Sequence, residues 1–443
     1  MLRGANMNKL LQLSTYGIKN IENEVTINFS NETIKKGISK INNVKGIFGY
    51  NGAGKSAIMG SVDFYKNIVC NQTFLMQNET KQQLNKLINY KRKEFFISMI
   101  YEYKDNIVIK HCIKLNKSDI STDYIISEES IMLSSGRTLS EKYKTIIAKT
   151  NNDLYINPCF SVPNDFLVNV DLEYTSIIQQ VVKKMALNKS SNKANIDFSD
   201  LEKIIFHCFT CANSIDVYLL SSDKHNNYHI DKNVVRNLII EIERLKDIND
   251  ETWTDTYSDD EIVPITSFKI YEKENKKLEK FLQIFKPDIK EIQLIKTQDR
   301  SIYHVRKLFV YKDYNVELEF ESSGIKQLVK LFSYLSRCAK GHITFIDEID
   351  TNINAVYLEK LISFFKKYGE GQLIFTTHNI ETMNALKSQS KAIDVLGANN
   401  KIDTWVAKGN KSPISDYISG TFPNSPMNIE DFDFINIFLG EDE

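Results

Sequence analysis

Alternating apolar and polar positions open the chain. Leu10-Leu11-Gln12-Leu13-Ser14 and Val25-Thr26-Ile27-Asn28-Phe29 have the period of two expected of half-buried strands, with Gly17-Ile18-Lys19-Asn20 as a turn between them. Val44-Lys45-Gly46-Ile47-Phe48 predicts a short buried strand, and a helix follows from Ala57 to about Cys70. Gln72 to Asn89 is polar and helical in expectation. Three apolar runs, Phe95–Tyr103, Ile107–Leu115 and Tyr124–Glu129, predict an antiparallel layer, with Lys104-Asp105-Asn106 as a hairpin link.

The pattern changes between Pro158 and Pro264. Tyr174 to Leu187 and Val234 to Leu245 repeat apolar residues at three and four positions, as helices do, among polar segments such as Asn188-Lys189-Ser190-Ser191-Asn192-Lys193. This block reads as an insertion outside the nucleotide core. Its acidic stretch, Asp247 to Glu261 with Trp253, is a solvated loop on the simpler reading and a protein-docking surface on the sharper one. Lys269 to Phe285 predicts an amphipathic helix whose lysines interleave with Glu272, Glu274 and Glu279, which favours a salt-bridged outer face over a nucleic-acid groove. Ile292–Ile295, Tyr303–Tyr311 and Val316–Phe320 return to strands, and Ile325 to Ala339 to a core-facing helix.

Composition narrows this picture only slightly. A chain of 443 residues implies two or three domains, or one large domain with an insertion. Its 42% apolar and 26% charged residues are ordinary for a soluble protein, and a net charge of −1 provides no global field for nucleic acid. No apolar run reaches the length of a membrane span and no signal-peptide core opens the chain, so a reducing cytoplasm is expected. Of the six cysteines only Cys208 and Cys211, beside His207, have metal-like spacing. With no second pair following and Phe206 and Phe209 marking an apolar face, buried thiols are the better reading.

The candidate chemistry begins at Gly49-Tyr50-Asn51-Gly52-Ala53-Gly54-Lys55-Ser56, a glycine, four residues, then Gly-Lys-Ser, between a strand and a helix. Glycines let successive N–H groups converge on phosphate oxygens at the positive end of a helix. Lys55 is expected to reach the outer phosphates and the Ser56 hydroxyl to ligate magnesium. His342-Ile343-Thr344-Phe345-Ile346-Asp347-Glu348 is an apolar strand ending in two carboxylates. Asp347 can hold the magnesium with Ser56, and Glu348 can polarise an attacking water. Gln372 to Asn379 is another buried strand, and His378 at its end is placed to meet the terminal phosphate or the water. In Glu321-Ser322-Ser323-Gly324-Ile325-Lys326-Gln327, serine before a helix is a cap on one reading. On the other, the free N–H groups form a second anion cradle that clasps the nucleotide of a partner subunit.

The phosphate loop with its Asn51, Ser323-Gly324, Asp347-Glu348 and His378 together resemble the ATPase heads of the ABC/SMC type, which include RecF and the OLD nucleases. The resemblance covers residues 7–155 and 265–410. It implies an α/β head with a mixed sheet; the antiparallel β layer and the mainly helical insertion are read from periodicity, and the middle block lies outside the resemblance. The corresponding division is 7–155 and 266–410 as the two parts of the head, 156–265 as the insertion and 411–443 as a tail. It implies ATP and Mg2+ as cofactors and a head-to-head dimer, or a higher oligomer, that sandwiches two ATPs. Asn51, Gly52, Ala53, Gly54, Lys55 and Ser56 would bind one nucleotide, and Ser323, Gly324 and Lys326 the nucleotide of the opposite copy. Ser56 and Asp347 would hold the metal, Glu348 would be the general base, and His378 the switch histidine.

Glu321–Gly324, Asp347-Glu348-Ile349-Asp350 and the stretch Asp416 to Pro426 further resemble ATPase subunits of bacterial anti-phage systems such as PARIS and AbiL-like abortive infection. That resemblance implies a sensor or scaffold that controls a separate TOPRIM-type nuclease and answers a phage-encoded trigger. A RecF-like repair ATPase that binds DNA directly is the alternative. Two features depart from the family: Asn354 stands where an Asp or His usually ends the inter-subunit loop, and Gln72 and Gln77 are unsupported candidates for the lid glutamine.

Overall fold

The structure, a computed structural model, describes residues 9–33, 37–103, 107–118, 121, 123–134, 139, 142–151, 153–161, 167, 171–190, 198–220, 261–397, 399–406, 411–422 and 437–438. Six strands form its central sheet, in the order Ile215–Tyr218, Ile343–Ile346, Gln372–Thr376, Val44–Phe48, Ile393–Leu396 and Ile402–Thr404. The first five run parallel and the last turns back antiparallel. Val44–Phe48, Ile343–Ile346, Gln372–Thr376 and Ile393–Leu396 are buried at every position, which is why they read as unbroken apolar runs. Lys45 tolerates this burial because Asp394 on the neighbouring strand lies 2.8 Å from its ammonium. The carbonyls of Asn28 and Lys391 accept its remaining hydrogen bonds.

A second sheet of seven antiparallel strands carries the expected layer, from Val25–Asn28 and Leu10–Tyr16 through Glu94–Glu102, Val108–Lys117 and Tyr124–Ser134 to Lys144–Thr150 and Asp153–Ile156. The helix Lys55–Cys70 is packed between the two sheets. Its Ile58, Val62 and Val69 share one apolar cluster with Ile97 and Met99 of the antiparallel sheet and with Ile47, Phe345 and Ile374 of the central one. The opposite face of the central sheet is covered by helices Ser323–Ala339, Ala355–Tyr368, Met383–Leu386 and Pro413–Ile418. A smaller sheet, Glu261–Pro264, Ile302–Val310, Glu291–Asp299 and Asn315–Glu317, carries the helix Phe268–Phe285, whose Leu278 and Leu282 pack on Ile292 and Phe309.

Two described helices of the 156–265 block, expected as an insertion, pack into the core. Ile177, Val181 and Met185 of the helix Ile177–Ser190 belong to the cluster around the phosphate-loop helix. So do Leu201, Ile205 and Cys208 of the helix Asp200–Asn213. That second helix starts with a reciprocal cap between Ser199 and Glu202. Its chain then enters the edge strand Ile215–Tyr218, parallel to Ile343–Ile346. A helical period reveals a buried face but not the surface that buries it, so the block looked separable along the sequence. Val234–Leu245, Trp253 and the hairpin link Lys104–Asn106 lie outside the described residues.

Candidate nucleotide site

Parallel strands that share a direction deliver their carboxyl ends to one edge. Here that edge gathers the loop after Phe48, the carboxylates after Ile346 and the residues after Thr376. The phosphate-loop strand and the Asp347 strand are not neighbours: Gln372–Thr376 lies between them and pairs with both. Its last residue therefore connects the two halves of the chemistry. The Thr376 hydroxyl donates to Asp347 Oδ1 at 2.6 Å and accepts from the Glu348 N–H at 2.7 Å. Thr376 is fully buried and Asp347 nearly so. Sequence reasoning gave Thr376 no role; its only signal was a polar residue ending a buried strand.

Glu348 holds φ at 49°, in the left-handed region that costs a non-glycine residue about 1–3 kcal/mol. Hydrogen bonds hold it there. The Glu348 and Ile349 N–H groups both bond to Thr376, and the Thr351 N–H to the Glu348 carbonyl. Thr351 Oγ1 also donates to Glu348 Oε2 at 3.4 Å.

In the phosphate loop, Gly49, Gly52 and Gly54 all have positive φ. A Cβ on Gly54 would come within 2.4 Å of Ile21 Cδ1, so both its backbone and its surroundings require glycine. Lys55 curls over the loop, its Nζ donating to the carbonyls of Gly49 at 2.8 Å and Tyr50 at 3.0 Å. Burial lowers the Lys55 pKa, and Asp347, Glu348 and Asp350 oppose that shift. Three carboxylates thus face one ammonium.

Those residues fit a magnesium-bound nucleotide. The excess of negative charge suits a divalent cation. Asp347 Oδ2 takes no hydrogen bond from a described residue, and Asp350 Oδ1 is buried without a partner. Ser56 is half-buried in the first turn of the helix, and Asn51 and Gly52 are exposed. His378 reaches the same edge with an exposed side chain and forms no hydrogen bond to a described residue. Gln77 is occupied by Thr73 Oγ1 at 3.2 Å.

The expected second cradle falls at the start of the helix Ser323–Ala339. Ser322 caps it, its hydroxyl accepting from the Ile325 N–H at 3.4 Å, while Ser323 is exposed in the first turn. A Cβ on Gly324 would lie 2.9 Å from the Asn352 carbonyl, so the cradle rests directly on the loop that follows Glu348. Beneath it Glu321 is buried and held by the Ser322 N–H, the Tyr311 hydroxyl and Lys286. Burial and the Glu321 carboxylate push the Tyr311 phenol well above its usual range. Lys326, expected to face a nucleotide, donates to the Glu319 carbonyl at 2.5 Å. Asn354 caps the next helix, accepting from the Val356 N–H at 3.0 Å.

A family model described as "AAA domain, putative AbiEii toxin, Type IV TA system" matches residues 218–384. No curated protein matches the chain. Among solved structures, the SMC head bound to the C-winged helix domain of ScpA is 13% identical, covers 90% of this chain and 98% of its own, and has a TM-score of 0.43. The SMC head domain from Thermotoga maritima is 15% identical over 90% of this chain and 100% of its own, with a TM-score of 0.37. RecF with ATP, from the RecFOR pathway, is 11% identical over 92% and 100%, with a TM-score of 0.39. The fold is mixed α/β, with a largely parallel central sheet beside an antiparallel layer, and residues 218–384 are similar to the AAA-domain family.

Proposed function

We propose that the chain binds and hydrolyses ATP in sites shared between two copies, and that it is the sensor or scaffold subunit of an anti-phage system controlling a separate TOPRIM-type nuclease. The observation that carries the ATPase reading is Thr376 linking Asp347 and Glu348 beside the buried Lys55. Ser56 and Asp347 are the candidates to hold Mg2+, which when bound neutralises phosphate charge. Glu348 takes the proton of the attacking water, and its constrained backbone fixes where that carboxylate stands. Lys55 gives up the Gly49 and Tyr50 carbonyls for the outer phosphates. Ser323, exposed at a helix start, and the half-buried Gly324 present their N–H groups to the nucleotide held by the other copy.

The defence role rests on the resemblance of Glu321–Gly324, Asp347–Asp350 and the tail, with support from the matched family's description, which names the AbiEii toxin. A second reading, a RecF-like DNA-binding repair ATPase, draws on the exposed Lys269, Lys273, Lys280, Lys290, Lys296 and Arg300 of the small lobe. Co-purification with the product of the neighbouring gene separates the two. A stoichiometric protein complex without duplex affinity at moderate salt supports the sensor. Tight, steeply salt-dependent duplex binding by this chain alone would sink it.

A further inference from the structure

On the face of the molecule formed by three helices, Phe268–Phe285, Ser323–Ala339 and Ala355–Tyr368, an apolar groove of about 400 Å³ opens to solvent. Ile284, Phe285, Phe332, Tyr357, Leu361 and Phe364 line it, and Lys277 and Lys360 stand at its rim. Ile284 is 62% exposed and Phe364 46%, which is costly apolar surface to leave in water.

The chain also carries a segment of complementary chemistry. Ile429, Phe432, Ile435 and Leu439 recur at helical spacing, and Glu430, Asp431 and Asp433 fall between them. Glu441, Asp442 and Glu443 follow, and no lysine or arginine occurs after Lys411. Such a segment presents an apolar stripe to a groove and acids to a basic rim. Among the described residues Lys360 has no carboxylate partner, and Lys277 pairs with Glu274.

The root of this segment lies on the helical side of the central sheet, which also carries the groove. Phe422 packs in the same cluster as Phe365, which also lines the groove. The seven steps from 422 to 429 span up to ~23 Å, against a helix diameter of ~10–12 Å. The segment could reach its own chain's groove, yet Ile437 stands 72% exposed. We propose that the groove receives the acidic C-terminal segment, Ile429–Leu439, of a second copy of this chain. Two copies that exchange tails close a symmetric pair. The contact goes beyond the nucleotide sandwich and needs no ATP.

The test uses the full chain without nucleotide. Equal amounts grown on light and heavy nitrogen are mixed and treated with a carbodiimide, which joins amines to carboxylates at zero length. Lys81 and Asp123, 2.7 Å apart, are the internal control. Links from Lys277 or Lys360 to Asp431 or Asp433 are expected, with mixed-label pairs as abundant as same-label ones. Ile284→Ser, at an exposed position outside the nucleotide machinery, should remove them and spare the control. Phe438→Ser should do the same from the tail side. Same-label pairs alone would put the tail in its own groove and overturn the exchange. Overturning results also include links that survive both substitutions, and the absence of these links where the Lys81–Asp123 link forms. Because Lys55→Ala should leave the pattern unchanged, failure here is distinguishable from failure of the ATPase reading.

Discussion

Glu348 and Thr376 show how much one side chain can decide. Glu348→Gln removes the proton acceptor but keeps the size and the backbone, so hydrolysis should fall about a hundredfold or more while ATP binding survives. Unchanged turnover in a steady-state phosphate-release assay would assign the base elsewhere. Thr376 is a positioning residue, touching the reacting groups only through Asp347 and Glu348. Thr376→Ala leaves the Asp347 oxygen and the Glu348 N–H without their shared partner, at a cost of about 1–3 kcal/mol for each unsatisfied buried group. Thr376→Ser keeps the hydroxyl and should restore both turnover and melting temperature. If serine rescues no better than alanine, the bridge is not what matters at this position.

At the scale of elements, the phosphate loop depends on backbone that only glycine adopts without strain. Gly52 and Gly54 make this testable because their surroundings differ. A Cβ on Gly52 would meet nothing within 4 Å, whereas one on Gly54 would meet Ile21 and Asn20. Gly54→Ala should therefore weaken binding of a fluorescent ATP analogue far more than Gly52→Ala. Equal losses would mean that φ alone, +81° and +111° respectively, sets the requirement. Elements also explain what was readable. The strand Val44–Phe48 and the start of the antiparallel layer follow from period and burial, both local properties. The edge strand Ile215–Tyr218 has only four residues, too few for a periodic signal, and parallel pairing with a strand more than a hundred residues later makes it a strand. Asn354 caps its own helix by accepting from the Val356 N–H, and in sequence a cap and an inter-subunit contact residue look alike.

Across the whole molecule, Asp216 ties together parts that are distant in sequence. Its carboxylate meets Arg337 at 2.9 Å, His342 Nδ1 at 2.9 Å and Lys66 at 3.6 Å. The edge strand, the helix of the second cradle and the phosphate-loop helix thus converge on one buried charge. Burial alone would raise the Asp216 pKa, but Arg337, Lys66 and His342 outweigh it and hold the carboxyl far below the usual range. The folded pKa is depressed, so its stabilisation is fully present above the unfolded value of about 3.9 and is lost as pH falls toward the folded one. Asp216→Asn leaves buried cations unmatched and should cost about 3–5 kcal/mol near neutral pH. The gap in melting temperature should narrow in scans below pH 4, and a constant gap would contradict the linkage.

The composite site belongs to this scale as well. Ser323→Arg and Lys55→Ala should each be inactive alone. Mixed, they should regain hydrolysis, since one of the two shared sites in a hybrid pair is intact. A mixture no more active than either variant would remove the support for action in trans.

The sequence by itself determined the phosphate-loop motif, because a glycine-rich turn, a lysine and a hydroxyl must be contiguous to converge on one anion. It also determined the carboxylate pair, since a strand end presents adjacent residues together. Only the tertiary structure decided that Thr376 joins Asp347 to Glu348, that the helices at 177–213 are core, and that an apolar groove lies open between three helices. Each of those is made by residues far apart along the chain, and periodicity carries no information about which buried face meets which.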